Sequence, residues 1–420
     1  MLAAVCLAAV TAMSKDAIPI NEVEANVPPY TLPELLVDAK GRRITTVEGW
    51  AGKRKEWMSL IEAHEYGAVP AGLHRGPATV VEVKPDALGG KAVRKRIRVP
   101  LTAGPDRVSV DLLVYLPRNA KGPVPAFVGL NFAGNHAAAT ETDVPLTRGW
   151  LPKSAKGAVD NRATDAARGT ESVAWPFEKI VERGYAIATA HYADIEADHS
   201  EGWKTGLRGA MAPGGANHVF APGEWGAIGA WSWGLSRCFD ALAEDAAVDA
   251  SRIAVIGHSR LGKTAIWAGI RDPRFALVVA NQSGEGGAAL SKRFFGETVL
   301  RINTSFPHWF CGRFKDYNHS TDKLPHDAHA IIACVAPRPV YIGSAEEDRW
   351  ADPKGEYLSG WHASPVYALF GLKGLPQEAQ PPVNTSVGGH VGYHIRTGKH
   401  DLTGRDWAHY LDFADRHLRR

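Results

Sequence analysis

The segment 253–268 predicts a serine held on a sharp turn between a buried strand and a helix. Four apolar residues, 253–256, indicate the strand, and residues 263–268 continue as the helix. The turn between them is Gly257-His258-Ser259-Arg260-Leu261-Gly262. This G-x-S-x-x-G pattern is a variant of the nucleophile elbow, in which a strained backbone projects the serine hydroxyl above the sheet edge. Because the helix N-terminus also favours negative charge beside it, the pattern predicts Ser259 as a nucleophile.

Predicted strands and helices alternate along the chain. Its 420 residues, 45% of them hydrophobic, are enough to bury a large core. Apolar patterning predicts strands over 79–83, 94–99, 108–116, 125–132, 185–191, 253–256, 275–281 and 340–343. Helical spacing predicts helices over 54–67, 176–183, 226–243 and 407–417. The alternation predicts an α/β fold with a doubly wound, mostly parallel sheet in a three-layer sandwich with loop insertions.

The chain divides into a leader, an arm and one large domain. Residues 1–15 contain a short apolar run that resembles a signal peptide without its charged start, and this predicts a periplasmic or secreted protein. Residues 16–40 are interrupted by prolines and predict an extended arm. Residues 41–420 are expected to form a single catalytic domain. The aperiodic stretch around 137–175 reads as a surface insertion within it.

Charge and cysteine content exclude several classes of protein. The net charge of +3 without a basic run argues against a nucleic-acid partner, and no further segment looks transmembrane. Three cysteines lie beyond the leader, Cys238, Cys311 and Cys334. An odd number argues against a disulfide scaffold and allows one bridge at most. No Cys/His spacing resembles a zinc site, so no metal is expected, and we expect a monomer.

A serine nucleophile needs a histidine base, which in this architecture comes last in the chain order Ser, acid, His. Both His394 and His400 precede the final helix. His400 follows a glycine-containing turn just before the predicted helix cap Thr403 and is favoured. His394 alternates with an apolar neighbour, which is typical of a structural position, and His390 is a weaker third candidate.

Two acidic residues are candidates for orienting that base. Asp348 lies just past the predicted strand 340–343, where this architecture usually carries the acid. Glu285 follows the predicted strand 275–281 and is the second candidate, although a glutamate between glycines can equally hold a loop by accepting backbone N–H groups.

Two cations follow the serine closely. Arg260 can donate hydrogen bonds to a tetrahedral oxyanion, and Lys263 lies one helical turn further on roughly the same side as Ser259. Cations are unfavourable at a helix N-terminus, which favours a functional reason for both. Together they indicate a substrate with several oxygen atoms or a negatively charged product.

Six segments together resemble a known family over residues 30–420. The segments are Leu130-Asn131-Phe132-Ala133-Gly134-Asn135-His136, Gly257-His258-Ser259-Arg260-Leu261-Gly262-Lys263-Thr264, Ser283-Gly284-Glu285-Gly286-Gly287-Ala288-Ala289, Pro307-His308-Trp309-Phe310-Cys311, Ala336-Pro337-Arg338-Pro339 and Asp348-Arg349-Trp350-Ala351-Asp352-Pro353. They resemble bacterial glucuronoyl esterases of carbohydrate esterase family 15. The resemblance implies an α/β-hydrolase fold that hydrolyses esters between glucuronic acid of plant cell-wall xylan and lignin alcohols, without a cofactor.

The resemblance also implies roles for individual residues. Ser259 would be the nucleophile, His400 the base and Arg260 part of the oxyanion hole, while Lys263 would contact uronate hydroxyls and Trp350 would line the sugar subsite. In one respect the chain departs from the family pattern. Many members carry the triad acid as a glutamate immediately before Ser-Gly-Glu-Gly-Gly, where this chain has Gln282.

A glutamine cannot hold a negative charge, so the departure points to Asp348 as the acid, with Glu285 as the fallback. Two other functions stay open at this point. One is an acetyl esterase acting on xylan or another acylated carbohydrate, which would not need Arg260, Lys263 and Trp350. The other is a non-catalytic carbohydrate-binding protein on a hydrolase scaffold, which would not need a strained serine.

Overall fold

A computed structural model describes residues 18–70, 76–102 and 108–419. Among these, the strands are β1 (Thr79–Asp86), β2 (Ala92–Pro100), β3 (Ser109–Pro117), β4 (Val124–Asn131), β5 (Ala158–Val159), β6 (Arg162–Ala163), β7 (Ala186–His191), β8 (Val248–His258), β9 (Leu277–Asn281), β10 (Val340–Ala345), β11 (Thr385–Gly388) and β12 (Val391–Arg396). The helices are α1 (Val47–Ile61), α2 (Ala87–Gly90), α3 (Asn135–Ala138), α4 (Phe177–Glu182), α5 (Leu207–Met211), α6 (Ala227–Ala243), α7 (Arg260–Arg271), α8 (Val299–Ser305), α9 (Ala328–Ala333), α10 (Pro353–Leu369) and α11 (Gly404–Leu418). The predicted leader, residues 1–15, lies outside the described residues.

Ten of these strands form one sheet in the order β1-β2-β3-β7-β4-β8-β9-β10-β12-β11. The six central strands run parallel to one another, and they are β7, β4, β8, β9, β10 and β12. At the two edges of the sheet, β1, β2, β3 and β11 pair antiparallel. All six parallel strands therefore end at the same edge of the sheet. Loops that follow them meet there, which is the usual position of a site in an open α/β sheet.

Helices cover both faces of the sheet and give the predicted three layers. One apolar core lies between the sheet and α1, α6, α7, α9 and α10, and a second lies between the sheet and α4 and α11. Alternate residues of a strand enter different cores, as Val128 and Phe127 of β4 do. The central strands are buried on both faces, which explains their near-continuous apolar sequences.

The arm and the insertion both pack against the large domain. Ile18 and Leu35 are buried, and Glu24 pairs with Arg293 and Lys354, so the described part of the arm is attached at several points. The insertion holds the short strands β5 and β6, a 3₁₀ turn at Asp165–Ala167 and a small apolar cluster centred on Leu151. The three cysteines are free and buried. No helix in the described ranges has the length and hydrophobicity to cross a bilayer.

The first helix differs from its prediction over 54–67. Helix α1 begins at Val47, because the Thr46 side chain accepts a hydrogen bond from Gly49 N at 3.1 Å and caps it. It ends at Ile61, and residues Glu62–Tyr66 form a π-helical turn. Apolar spacing predicted the helix but gave no sign of the Thr46 cap, so the predicted start was seven residues late.

Close packing of α7 on the sheet predicts a strong effect of one added methyl group. A Cβ at Gly269 would lie 2.4 Å from Val278 Cγ2 of β9, so we expect Gly269→Ala to destabilise the protein by about 1–3 kcal/mol. Gly52→Ala is the matched control, since a Cβ at this exposed α1 position meets nothing within 4 Å. It should stabilise by up to about 1 kcal/mol. Urea unfolding midpoints measure both, and equal effects would contradict this account of the packing.

Candidate active site

Ser259 lies on the tight turn between β8 and α7. Its backbone has φ 57° and ψ −131°, a positive-φ conformation that is strained for a serine. The turn requires glycine at position 257, because a Cβ there would lie 1.9 Å from the Leu261 carbonyl oxygen. Ser259 N donates to Asn281 O at 2.9 Å, which ties the turn to the end of β9. The strand–turn–helix expected from the sequence is therefore present.

Asp348 and His400 meet at the same sheet edge. They follow the adjacent parallel strands β10 and β12, and His400 Nδ1 lies 2.6 Å from Asp348 Oδ2. The Asp348 side chain is 3% exposed, whereas that of His400 is 40% exposed. The His400 ring lies beside that of His258, the neighbour of Ser259, with centroids 4.5 Å apart. Burial, together with His400, lowers the pKa of His258 to about 3, so His258 stays neutral near pH 7.

Gln282 holds the loop that carries His400. Its amide oxygen accepts from Asp401 N at 2.9 Å, and its amide nitrogen donates to Asp401 O at 3.0 Å. An amide can donate and accept in this way, whereas an ionised carboxylate only accepts. Gln282, which stands where many family members have a glutamate, thus binds the Asp401 backbone and not the His400 ring. Sequence reasoning noted the missing charge but not this contact.

The Arg260 guanidinium lies among three aromatic rings. Its centre is 5.8 Å from the ring of Phe132, 5.2 Å from Phe306 and 4.6 Å from Trp309. The loop after β4 usually supplies a backbone N–H to an oxyanion in this fold. Here Glu171 accepts from Ala133 N at 3.4 Å and from the backbone of Phe132. Those amides are already engaged, whereas Arg260, 27% exposed, can face a ligand.

A second cluster adjoins the first, since Lys263 Nζ lies 5.8 Å from the ring of Trp309. Lys263 is buried, donates to Ser283 O at 2.6 Å, and lies 4.0 Å from Glu297. Glu297 also bonds the side chain of Trp350, and its backbone N donates to Trp350 O at 2.9 Å. Burial raises the pKa of Glu297, and the charges of Lys263, Arg260 and His400 oppose this rise. The sequence did not predict Glu297 as a site residue, because it lies in none of the recognised motifs and comes near Lys263 only in the folded chain.

Glu285 lies apart from His400. It is buried, and its carboxyl accepts from Ser291 Oγ at 2.7 Å. Burial, with the nearby Asp327 and Glu65, raises its pKa well above the usual value, which favours the neutral acid. These contacts favour Asp348 over Glu285 as the partner of His400.

The other two histidines also have structural surroundings. His394 lies within β12, is fully buried and contacts Asp406 at 2.9 Å, and the Arg396 guanidinium bonds the same carboxylate. The His390 ring packs against His417, with centroids 4.7 Å apart. In the described ranges, no group of three or more His, Cys, Asp or Glu side chains could hold a metal ion.

The comparisons with known proteins agree with this geometry. A family model described as glucuronyl esterase, fungi, matches residues 175–371. Carbohydrate esterase MZ0003, from an unknown prokaryotic organism, is 46% identical over 403 residues, which cover 95% of this chain and 92% of that protein. The solved structure of a promiscuous CE15 esterase from a marine bacterial metagenome is 45% identical, with a TM-score of 0.89 over 95% of this chain and 100% of that chain. The chain belongs to carbohydrate esterase family 15.

A second family 15 structure supports the same assignment. The glucuronoyl esterase from Solibacter usitatus is 45% identical, with a TM-score of 0.88 over 93% of this chain and 99% of that chain. These matches confirm the resemblance found in the sequence motifs, and with it the α/β-hydrolase fold.

The Gln282 contact predicts that the glutamate common in family 15 is harmful in this chain. In Gln282→Glu, an ionised carboxylate would face the Asp401 carbonyl and lose one hydrogen bond. We expect kcat/KM for an ester substrate to fall by about tenfold at pH 7, the loss of roughly 1.4 kcal/mol. The added negative charge should also move the acidic limb of the pH–rate profile to higher pH. Steady-state kinetics between pH 5 and 9 measure both effects.

The matched control for that variant is Gln380→Glu. Gln380 also donates to a backbone carbonyl, Pro353 O at 3.0 Å, but it contacts neither His400 nor its loop. It should leave the pH–rate profile unchanged. An unchanged or higher activity of Gln282→Glu would show that the amide contact does not position the loop.

Proposed function

We propose that this chain hydrolyses esters of glucuronic acid, as found in lignin–carbohydrate links of glucuronoxylan, through a serine acyl-enzyme. The observation that carries the proposal is a serine elbow beside groups suited to sugar hydroxyls, the buried Lys263 and Glu297 and the half-buried Trp350. The name of the Solibacter usitatus relative, a glucuronoyl esterase, supports the same substrate class.

In the first step, His400 removes the proton of Ser259 Oγ, which attacks the C6 carbonyl carbon of the uronate ester. Asp348, 2.6 Å from His400 Nδ1, holds that nitrogen as the protonated one, so that Nε2 acts as the base. The buried Asp348 carboxylate also stabilises the imidazolium that forms. The neutral His258 ring supports the imidazole without competing for the proton.

The tetrahedral intermediate then collapses. Arg260 donates hydrogen bonds to the oxyanion, from its guanidinium and from its backbone N–H at the start of α7. His400 passes its proton to the leaving alcohol, and the carbonyl bond reforms as an acyl-enzyme on Ser259. Water, activated by His400, attacks the acyl carbon, and Ser259 recovers its proton as the uronic acid leaves.

Sugar recognition falls to Lys263, Glu297 and Trp350, beside the aromatic cluster around Arg260. Lys263 donates to hydroxyl groups of the uronate ring, Glu297 accepts from them, and the Trp350 indole lines the apolar face of the ring. All three groups are buried or half-buried, so each hydrogen bond forms away from competing water.

A second candidate function is hydrolysis of acetyl esters of carbohydrates. It is favoured by the relative whose structure is described as a promiscuous family 15 esterase. The 40% exposure of His400 adds to this, because an open site on the histidine side tolerates different ester partners. The triad chemistry is the same for both substrates.

Hydrolysis of benzyl glucuronate against para-nitrophenyl acetate distinguishes these functions. We expect a kcat/KM at least about 100-fold higher for the glucuronate ester, because only this substrate engages Lys263 and Glu297. Ser259→Ala should lower both rates by about 10⁴-fold or more while the protein stays folded. Preference for the acetate would indicate a carbohydrate acetyl esterase, and no hydrolysis of either ester would indicate a binding protein.

The acid of the triad is tested by a pair of isosteric variants. Asp348→Asn should lower kcat by about 10³- to 10⁴-fold, since the amide favours the wrong imidazole tautomer. Glu285→Gln should lower it less than about threefold, because the Glu285 carboxyl is buried, neutral and bonded to Ser291. Steady-state kinetics on the better substrate give both values. The reverse ranking would move the acid to Glu285.

A further inference from the structure

The contacts of Arg260 lead to a carboxylate outside the triad. Asp198 follows β7 in a loop, and its side chain is only 3% exposed. One of its oxygens, Oδ2, accepts from Arg260 Nη1 and from the Tyr192 hydroxyl at 3.0 Å. The other, Oδ1, accepts from His308 Nε2 at 2.8 Å and from Trp309 Nε1 at 2.7 Å. Four donors from three segments of the chain therefore converge on one buried carboxylate.

We propose that Asp198 is a positioning residue that holds the Arg260 guanidinium in place for ester hydrolysis. The proposal rests on the proposed function, because Arg260 matters only if an oxyanion develops at Ser259. Asp198 does not act on the substrate itself, since its side chain is buried and both oxygens are bonded to protein groups. It acts through Arg260.

Arg260 needs such an anchor for an electrostatic reason. As the first residue of α7 it lies at the positive end of the helix dipole, where a cation is unfavourable. The Asp198 carboxylate supplies the compensating charge. Although burial alone would raise the pKa of Asp198, hydrogen bonding to His308 and the charge of Arg260 hold it below its usual range, so the group stays ionised at neutral pH.

The same carboxylate also sets the direction of the guanidinium. The rings of Phe306 and Trp309 stack with centroids 3.7 Å apart, and Arg260 lies over both. The Trp309 indole is itself fixed by its bond to Asp198. An aromatic face tolerates many orientations of a cation, whereas a hydrogen bond to Nη1 selects one. Asp198 thus orders both Arg260 and the ring beneath it, which gives a role to the Pro307–Cys311 motif.

A double-mutant cycle tests this proposal. Arg260→Met should lower kcat by about 10²-fold, the usual effect of removing one oxyanion donor. Asp198→Asn should lower kcat at least about tenfold with little change in KM, because Arg260 acts mainly in the transition state. In the Arg260→Met background, Asp198→Asn should lower kcat less than about twofold, since its target is gone.

Glu196→Gln is the matched control. Glu196 is a buried carboxylate two residues earlier in the same loop, bonded to Arg208 at 2.6 Å and not to Arg260. This variant should lower the urea unfolding midpoint and leave kcat unchanged. Tyr192→Phe removes one of the four donors and keeps the carboxylate, so the variant should fold. It should lower kcat by about two- to fivefold when Arg260 is present, and should not lower it in the Arg260→Met background.

The outcomes separate the two proposals. An Asp198→Asn or Tyr192→Phe effect that is equal with and without Arg260, or is absent, overturns the positioning role. If the enzyme cleaves para-nitrophenyl acetate but not benzyl glucuronate, the proposed substrate is wrong, while the same cycle on the acetate still decides the role of Asp198. If the unsubstituted protein cleaves neither ester, both proposals fail.

Discussion

The strained, positive-φ backbone of Ser259 is the constraint on which the rest of the site depends. It exists because Gly257 and Gly262 let β8, α7 and the end of β9 approach within contact distance. A Cβ at position 257 would lie 1.9 Å from Leu261 O, and a Cβ at position 262 would lie 3.0 Å from Ser283 Cβ. Strain of this kind persists only when its surroundings enforce it. The packing of α7 against the sheet provides that enforcement, and the loops after β7, β9, β10 and β12 are arranged around the resulting turn.

Charge compensation is the second organising feature. Arg260 and Lys263 both lie in the first turn of α7, against the helix dipole, and each has an acidic partner from a distant loop. Asp198 pairs with Arg260, and Glu297 lies 4.0 Å from Lys263. The two cations therefore offer hydrogen-bond donors near Ser259, and both lie against the ring of Trp309. A site of this kind can hold an uncharged ester by its hydroxyl groups and still stabilise an oxyanion.

Local signals explain which residues could be predicted. The sharp turn at Ser259 was predictable because the strand, the turn glycines and the helix are consecutive in the chain. The contact between His400 and Asp348 follows from parallel strands that end at one edge of the sheet. Gln282 was noted only as a missing charge, and the loop contact it makes was missed. Helix α10 was also missed, since Gly355, Gly360 and Pro365 weaken its helical pattern. The tertiary contacts of α10 with α9, β10 and β12 outweigh that local preference.

The sequence by itself determined the three-layer α/β architecture, the nucleophile elbow and the family, because each rests on patterns read over short stretches of chain. Only the tertiary structure decided that Asp348 rather than Glu285 contacts His400, that Gln282 holds the histidine loop, and that Asp198 and Glu297 pair with the two cations. These partners are 34 to 119 residues apart in the chain. Distances between them depend on strand order in the sheet, which no local pattern encodes.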